Sequence, residues 1–222
     1  MNKFTLIFAL LAGLTTGTVN ATFIDDFTEG SMHVLADDGD VYQGASSAFG
    51  GGRTVNITKV GARGAKADVK PVYGFYAHST DVGTRATSTI SWGNNLGVDL
   101  IENVHNNAFA LDIIYLDQGA AHFKISVTDK KSHSDSYSLL GVRSEGVRNI
   151  AFNEFTGIDF QEITEISLQI VAGNGADLVI NSLATVEAIV PNGNNISAVP
   201  VPPALILFTS SLMLLSISRR KV

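Results

Sequence analysis

Short runs of alternating apolar and polar residues recur every ten to fourteen residues between positions 22 and 183, separated by Gly, Asn, Asp and Ser. Helical periodicity is almost absent there. Period-two alternation places successive side chains on opposite faces of a strand. Strands are expected at 22–28, where Phe23 and Phe27 share a phase, and at 32–35, 53–60, 72–77, 86–92 and 108–116. Val55 and Ile57 oppose Asn56 and Thr58, and 109–116 is apolar enough for a central strand. The runs 122–127 and 136–142 make a hairpin across the polar turn 129–135, with Phe123, Ile125 and Val127 on one face and Lys124 and Ser126 on the other. Runs at 148–152, 163–171 and 176–183 complete ten or eleven strands. This pattern predicts an all-β fold, an antiparallel jelly-roll-like β-sandwich, with a barrel as the competing architecture. No fixed-period repeat points to a solenoid or propeller.

The two ends follow other rules. Lys3 and the apolar stretch 4–19 lead to the small-residue site Val19-Asn20-Ala21, so residues 1–21 are expected to be a signal peptide cleaved between Ala21 and Thr22. At the far end, prolines 200, 202 and 203 precede an uncharged apolar run, 204–217, and a basic tail, Arg219-Arg220-Lys221. Fifteen helical residues from Pro203 span about 23 Å, short of a ~30 Å hydrocarbon core, and the arginines extend that reach by snorkelling. On the residues alone the segment is a single transmembrane helix, a permanent tail anchor, or a core helix. Its apolar character runs all round, which disfavours the core helix. The basic end is expected to stay in the cytoplasm, with everything before it outside.

The expected organisation is therefore a leader (1–21), a β-sandwich domain (22–190), a flexible spacer (191–198) and a C-terminal signal (199–222). Of 15 basic residues four lie in the two end segments, leaving 11 against 21 acidic residues and a net charge of −10 for the middle. That excludes a basic nucleic-acid footprint. Cysteine is absent, which removes thiol nucleophiles and thiolate metal sites.

The C-terminal layout resembles the PEP-CTERM sorting domain of exported Gram-negative proteins. Val199-Pro200-Val201-Pro202 matches its Val-Pro-x-Pro variant, 203–218 its helix, and Arg219-Arg220-Lys221 its basic cluster. The resemblance implies export through the secretory translocon and signal peptidase, then processing by an exosortase near the proline motif. It also implies an inner-membrane stage with the main domain periplasmic, then release to the cell surface or an exopolysaccharide matrix. Ile24-Asp25-Asp26-Phe27, Gly51-Gly52-Arg53, Phe155 to Phe160 and Asp177-Leu178-Val179-Ile180 are similar to segments of the exported sandwiches of that group, which resemble carbohydrate-binding jelly rolls.

No catalytic signature stands out, and the expectation is a protein without catalysis of its own. Gly50-Gly51-Gly52-Arg53 precedes a strand, so it reads as a tight turn rather than a phosphate cradle. Ser132, His133 and Asp135 crowd a hairpin turn, but a triad needs directed geometry in space. Glu102, Glu154, Glu162 and Glu165 are the carboxylates eligible for a glycosidase pair. A structural calcium is the one cofactor considered. Asp37, Asp38 and Asp40 around Gly39 offer part of an oxygen shell. By analogy with jelly rolls, Asp25, Asp26 and Asp177 form a rival set. Trp92 is the candidate sugar-stacking platform, with Tyr42, Tyr73 and Tyr76 as further options. The leading expectation is an exported, exosortase-sorted surface or matrix protein. A carbohydrate-binding module comes second, and a secreted polysaccharide hydrolase or lyase third.

Overall fold

The computed structural model describes residues 22–188, apart from 103, 104 and 118 and with backbone alone at 94–96. The leader with Ala21, the spacer, the motif Val199 to Pro202, the apolar helix and the basic tail lie outside the described residues. Among the described residues no helix is long and apolar enough to cross a membrane.

Among the described residues thirteen strands build two antiparallel sheets. Sheet I holds β1 (Thr22–Asp25), β2 (Met32–Leu35), β5 (Ala65–Lys70), β6 (Phe75–Thr80), β8 (Ala108–Leu116), β11 (Gly146–Ala151) and β13 (Asp177–Val186). Its order is β11-β8-β13-β6-β5-β2, and β1 pairs with the same edge of β13 beyond the end of β6. Sheet II runs β10 (Ser134–Val142), β9 (Ala121–Asp129), β12 (Ile163–Ala172), β7 (Arg85–Val98), β4 (Gly52–Val60) and β3 (Val41–Gly44). Both sheets are open, so the architecture is a sandwich and not a barrel.

Alternation explains the core. In sheet II Ile166, Leu168 and Ile170 sit opposite Val127, Ile125 and Phe123, all turned inward and buried. Leu178, Ile180 and Leu183 of β13 face them from sheet I with Leu111 and Ile113. Each such side chain contributes about 1.5–3 kcal/mol by leaving water. The hairpin of β9 and β10 forms as expected, but its turn is tighter than 129–135, so Ser134 pairs with Thr128 and Ser136 with Ser126. At one flank Phe109 meets Phe152, Phe155 and Phe160, the last stacked on Phe152 at 4.1 Å, so the Phe-rich loop plugs the core.

Two expectations are corrected, and two strands were not anticipated. The first strand ends at Asp25, and a register shift between Phe23 and Asp25 puts Phe23 outside while Phe27 is buried. Residues 71–74 are a turn rather than strand, so β6 begins at Phe75. Strands β3 and β5 were not legible: β3 is a four-residue edge, and Lys66, Asp68 and Lys70 hide the inward Ala67 and Val69.

Candidate functional site

The motif residues of the first and fourth strands meet inside the sandwich. Asp25 Oδ1 accepts from Arg53 Nη2 (2.8 Å) and the Phe27 amide (2.8 Å). Asp25 Oδ2 accepts from Arg53 Nε (2.5 Å) and Trp92 Nε1 (2.7 Å). Arg53 Nη1 donates to the carbonyls of Glu29 (2.9 Å) and Gly30 (3.1 Å), and its guanidinium lies 5.4 Å from the Phe27 ring centroid. Asp25, Arg53 and Phe27 are fully buried. Such a bidentate pair survives burial only because the remaining donors and acceptors are also satisfied. The knot ties β1 of sheet I to β4 and β7 of sheet II, and it holds Phe27 at φ 54, a region a bulky residue rarely adopts.

This knot overturns two expectations. Trp92 is only 1 % exposed, with its indole N–H given to Asp25, so no sugar reaches its ring. Tyr76 is likewise buried. Asp25 spends both oxygens on protein donors, and β13 pairs with β1 near Leu183, six residues from Asp177, so Asp25, Asp26 and Asp177 do not converge. Asp26 instead accepts from the Thr28 amide and hydroxyl and from Ser47. Partial burial raises its carboxyl pKa, but these hydrogen bonds outweigh that and hold it below the ordinary value. The 37–40 turn also disperses its carboxylates: Asp37 to Lys59 (3.1 Å), Asp38 to the Leu35 amide (2.7 Å) and Asp40 to Asn56 (2.8 Å). Among the described residues no three His, Asp or Glu side chains gather as a metal site.

The other polar candidates are dispersed too. Asp129 caps its own turn, accepting from the Lys131 and His133 amides and from the Asp159 amide. Asp135 binds the Thr156 amide, so Ser132, His133 and Asp135 form no triad. Glu162 pairs with Lys130 at 3.5 Å, Glu165 lies on the outer face of sheet II, and Glu102 and Glu154 occupy separate loops. Gly50 and Gly51 take φ 75 and 79 in the tight turn before β4, as expected.

The knot also sets a demand on Gly30. Its φ is +69, and a Cβ there would meet Gln43 Cγ at 2.7 Å and the Gly44 carbonyl at 2.8 Å. Gly30→Ala is expected to cost about 1–3 kcal/mol in urea unfolding. An unchanged midpoint would mean that this loop shifts freely around Arg53.

What remains for ligands is surface, and the outer face of sheet I is distinctive. Tyr73, in the turn before β6, is 73 % exposed and stacks on outward-facing Phe75 with centroids 5.7 Å apart and planes 13° apart. Phe75 lies one step beyond the last β6–β13 pair, beside outward Asn181, whose Nδ2 donates to Asp112 Oδ2 at 3.0 Å. In the next row Asp68, Ala77, Val179 and Tyr115 lie side by side, and Tyr115 is 46 % exposed. Two strands across and two residues along put Phe75 and Tyr115 about 12 Å apart. Phe23, 48 % exposed, marks the β1 end of the face. Toward its β2 edge Asp68 of β5 accepts from His33 (2.7 Å) and pairs with Lys70 (3.4 Å) and Lys66 (3.7 Å). Burial raises the Asp68 carboxyl pKa, but the His33 bond and the lysine charges prevail and keep it below the ordinary value. Flat exposed rings beside amide and carboxylate groups suit a hydroxylated, partly apolar ligand. Tyr115 escapes sequence reasoning because a bulge between Val179 and Ile180 sets which β8 residues point outward, and Phe75 because 72–77 reads as one strand although β6 begins only at Phe75.

No protein-family model matches the sequence, and no curated protein matches it. Among solved structures it is similar to CtCBM11 in solution (TM-score 0.44, 14% identity, 79% of this chain and 100% of that one). It is also similar to the family 11 carbohydrate-binding module of the cellulosomal cellulase Lic26A-Cel5E of Clostridium thermocellum (TM-score 0.38, 14% identity, 78% and 97% covered). TmCBM61 in complex with beta-1,4-galactotriose aligns at TM-score 0.33 and 11% identity, over 59% and 86%. At these scores the likenesses carry no argument about what this chain binds, and the sandwich stands on its own pairing registers.

Proposed function

We propose that this chain is an exported, non-catalytic polysaccharide-binding sandwich of the bacterial surface or its exopolysaccharide matrix. The observation that supports binding is the outer face of sheet I, where the stacked Tyr73 and Phe75 are followed by the Asn181–Asp112 pair and Tyr115. Aromatic rings contribute large contact area at low entropy cost, and the polar pair supplies an acceptor and a donor for sugar hydroxyls. Strands of an open sheet hold Phe75, Asp112, Tyr115 and Asn181 in place, and Tyr73 stacks on Phe75 from the adjoining turn, so little ordering accompanies binding.

Affinity electrophoresis of the full-length protein through gels containing neutral polysaccharides tests this. Tyr73→Ala is expected to weaken retardation about thirtyfold, the loss typical of truncating an aromatic anchor. Val82→Ala, in the β6–β7 turn, leaves retardation unchanged. Equal mobility of wild type and Tyr73→Ala in every retarding gel would refute the site.

Delivery rests on the terminal sequences. In the sandwich Thr22 pairs with Thr185, so the start of the first strand lies beside the end of the last. Export, exosortase processing at Val199 to Pro202 and release make a surface protein of this domain. Replacing Val199, Pro200, Val201 and Pro202 by alanine is expected to leave the C-terminal segment attached and the protein in membranes. Intact mass of protein recovered from cells and medium reads this directly. A full-length wild-type species found only in membranes would make the chain tail-anchored instead.

A further inference from the structure

The opposite face of the molecule carries a different surface. Cross-strand registers place Tyr42, Thr54, Ser91, Ser167, Ser126 and Ser136 in one outward row spanning all six strands of sheet II. The next row runs from Asn56 through Thr89, Gln169 and Lys124 to Ser138. On the other side of the first, Gly93, Glu165, Thr128 and Ser134 line up. Neighbours in a row stand about 4.8 Å apart and successive rows about 7 Å apart, so the face presents a lattice of short hydroxyl and amide groups. Lys124 and Glu165 are the two formal charges within these rows and they are of opposite sign, and the Asp40 carboxylate that accepts from Asn56 borders the face at its β4 side. None of the serines or threonines in the first row is buried.

Tyr42 gives this lattice an aromatic end. Its ring leans over Gly52, where a Cβ would meet Tyr42 Oη at 2.5 Å and Cζ at 2.9 Å, and the side chain stays 67 % exposed. A glycine at 52 is what allows the ring to lie down on β4.

We propose that this face docks an uncharged polysaccharide, and that the sandwich bridges two glycan chains through its opposite faces. Ser and Thr hydroxyls both donate and accept, as sugar hydroxyls do, so each meets its partner in either orientation. A face with almost no net charge attracts neither acidic polymers nor cations. Its area is about 500 Å², from rows of six, five and four positions each about 4.8 by 7 Å. A stable dimer buries about 800 Å² per partner around an apolar centre, so a second copy of this chain fits the face poorly. The bridging, though not the docking itself, rests on the reading of sheet I as a glycan site.

The test uses full-length protein, amorphous cellulose and agarose particles as insoluble probes, and fluorescent mixed-linkage β-glucan as the soluble one. Wild type is expected to sediment with a neutral particle, with little change between low and high salt, and to carry the soluble glucan down with it. Tyr73→Ala is expected to keep residual particle binding while losing the bridge. Ser167→Arg and Tyr42→Ala are expected to weaken particle binding about tenfold in the Tyr73→Ala background, as loss of one or two surface contacts gives. Unfolding midpoints within a degree or two of the parent show that these variants fold. Undiminished binding by both would overturn the docking face, as would failure of the parent to bind either particle. If Tyr73→Ala changes nothing while Ser167→Arg abolishes binding, the docking face holds and the sheet I reading fails. Binding only to alginate, with steep salt dependence, would reject the uncharged ligand.

Discussion

Arg53→Met unfolds about 3–5 kcal/mol more easily than wild type in urea, because it strands the buried Asp25 carboxylate without its cation. Whole domains are held by about 5–15 kcal/mol, so the variant forfeits a large share of the total. Arg53→Lys does not rescue it. A lysine supplies one point charge where the knot uses three guanidinium nitrogens on Asp25 and two carbonyls. Asp25→Leu with Arg53→Met is expected to cost less than the two single changes added together, since neither ion remains buried alone. It still falls short of wild type, because Trp92 Nε1, the Phe27 amide and the carbonyls of Glu29 and Gly30 are left without partners. Full additivity of the two singles would show that the pair is not coupled. The effect extends to the surface. Loosening Asp25 frees β1, which carries Phe23 on the outer face of sheet I, so retardation by polysaccharide should weaken in Arg53→Met even where it stays folded.

The same knot shows what the sequence could and could not reveal. Alternation in β4, β9 and β12 named inward and outward residues correctly, because the side-chain period of a strand depends on nothing outside it. The Asp-Asp-Phe and Gly-Gly-Arg segments and the lone tryptophan were visible as motifs. Their common purpose was not, since 28 residues separate Asp25 from Arg53 and 67 separate it from Trp92, and only folding brings them together. A fully buried arginine departs from composition rules and is recognisable only through its partner. The surface aromatics were legible only in part. Whether Tyr115 points into the core or out depends on a bulge, and a one-residue slip reverses every side chain after it. Tyr42 and Tyr73 were visible as stacking options and are exposed, but Tyr73 sits in a segment that reads as strand, whereas Pro71 and Gly74 (φ 62) make it a turn. The hydroxyl lattice of sheet II was present in the sequence as scattered Ser and Thr, and only the cross-strand registers make it a surface.

Between pH 6.5 and 4 the protein is expected to lose about 3 kcal/mol of stability through one core histidine. His78 is fully buried on β6, hydrogen-bonded through Nδ1 to Ser88 Oγ of the opposite sheet at 2.9 Å. Its Nε2 has no partner among the described residues. Burial lowers the His78 pKa from 6.5 to about 4, with Asp177 opposing that shift. The native state therefore keeps a neutral imidazole at pH values where the unfolded chain binds a proton. A depressed basic group leaves stability unaffected above its unfolded pKa and removes it as pH falls toward the folded value, at about 1.4 kcal/mol per unit. Carboxylates act in another window. Asp26, Asp68, Asp129 and Asp135 have folded pKa values below their ordinary 3.8, so the stability they contribute is lost only as pH falls through and below that range. Urea midpoints at pH 7, 6, 5 and 4 separate the two. His78→Leu starts lower, because Ser88 loses its partner, yet its midpoint should stay level where the wild-type midpoint declines. An equal decline in both would mean that His78 takes up its proton in the folded core without resistance, through an opening between the sheets that brings water to Nε2.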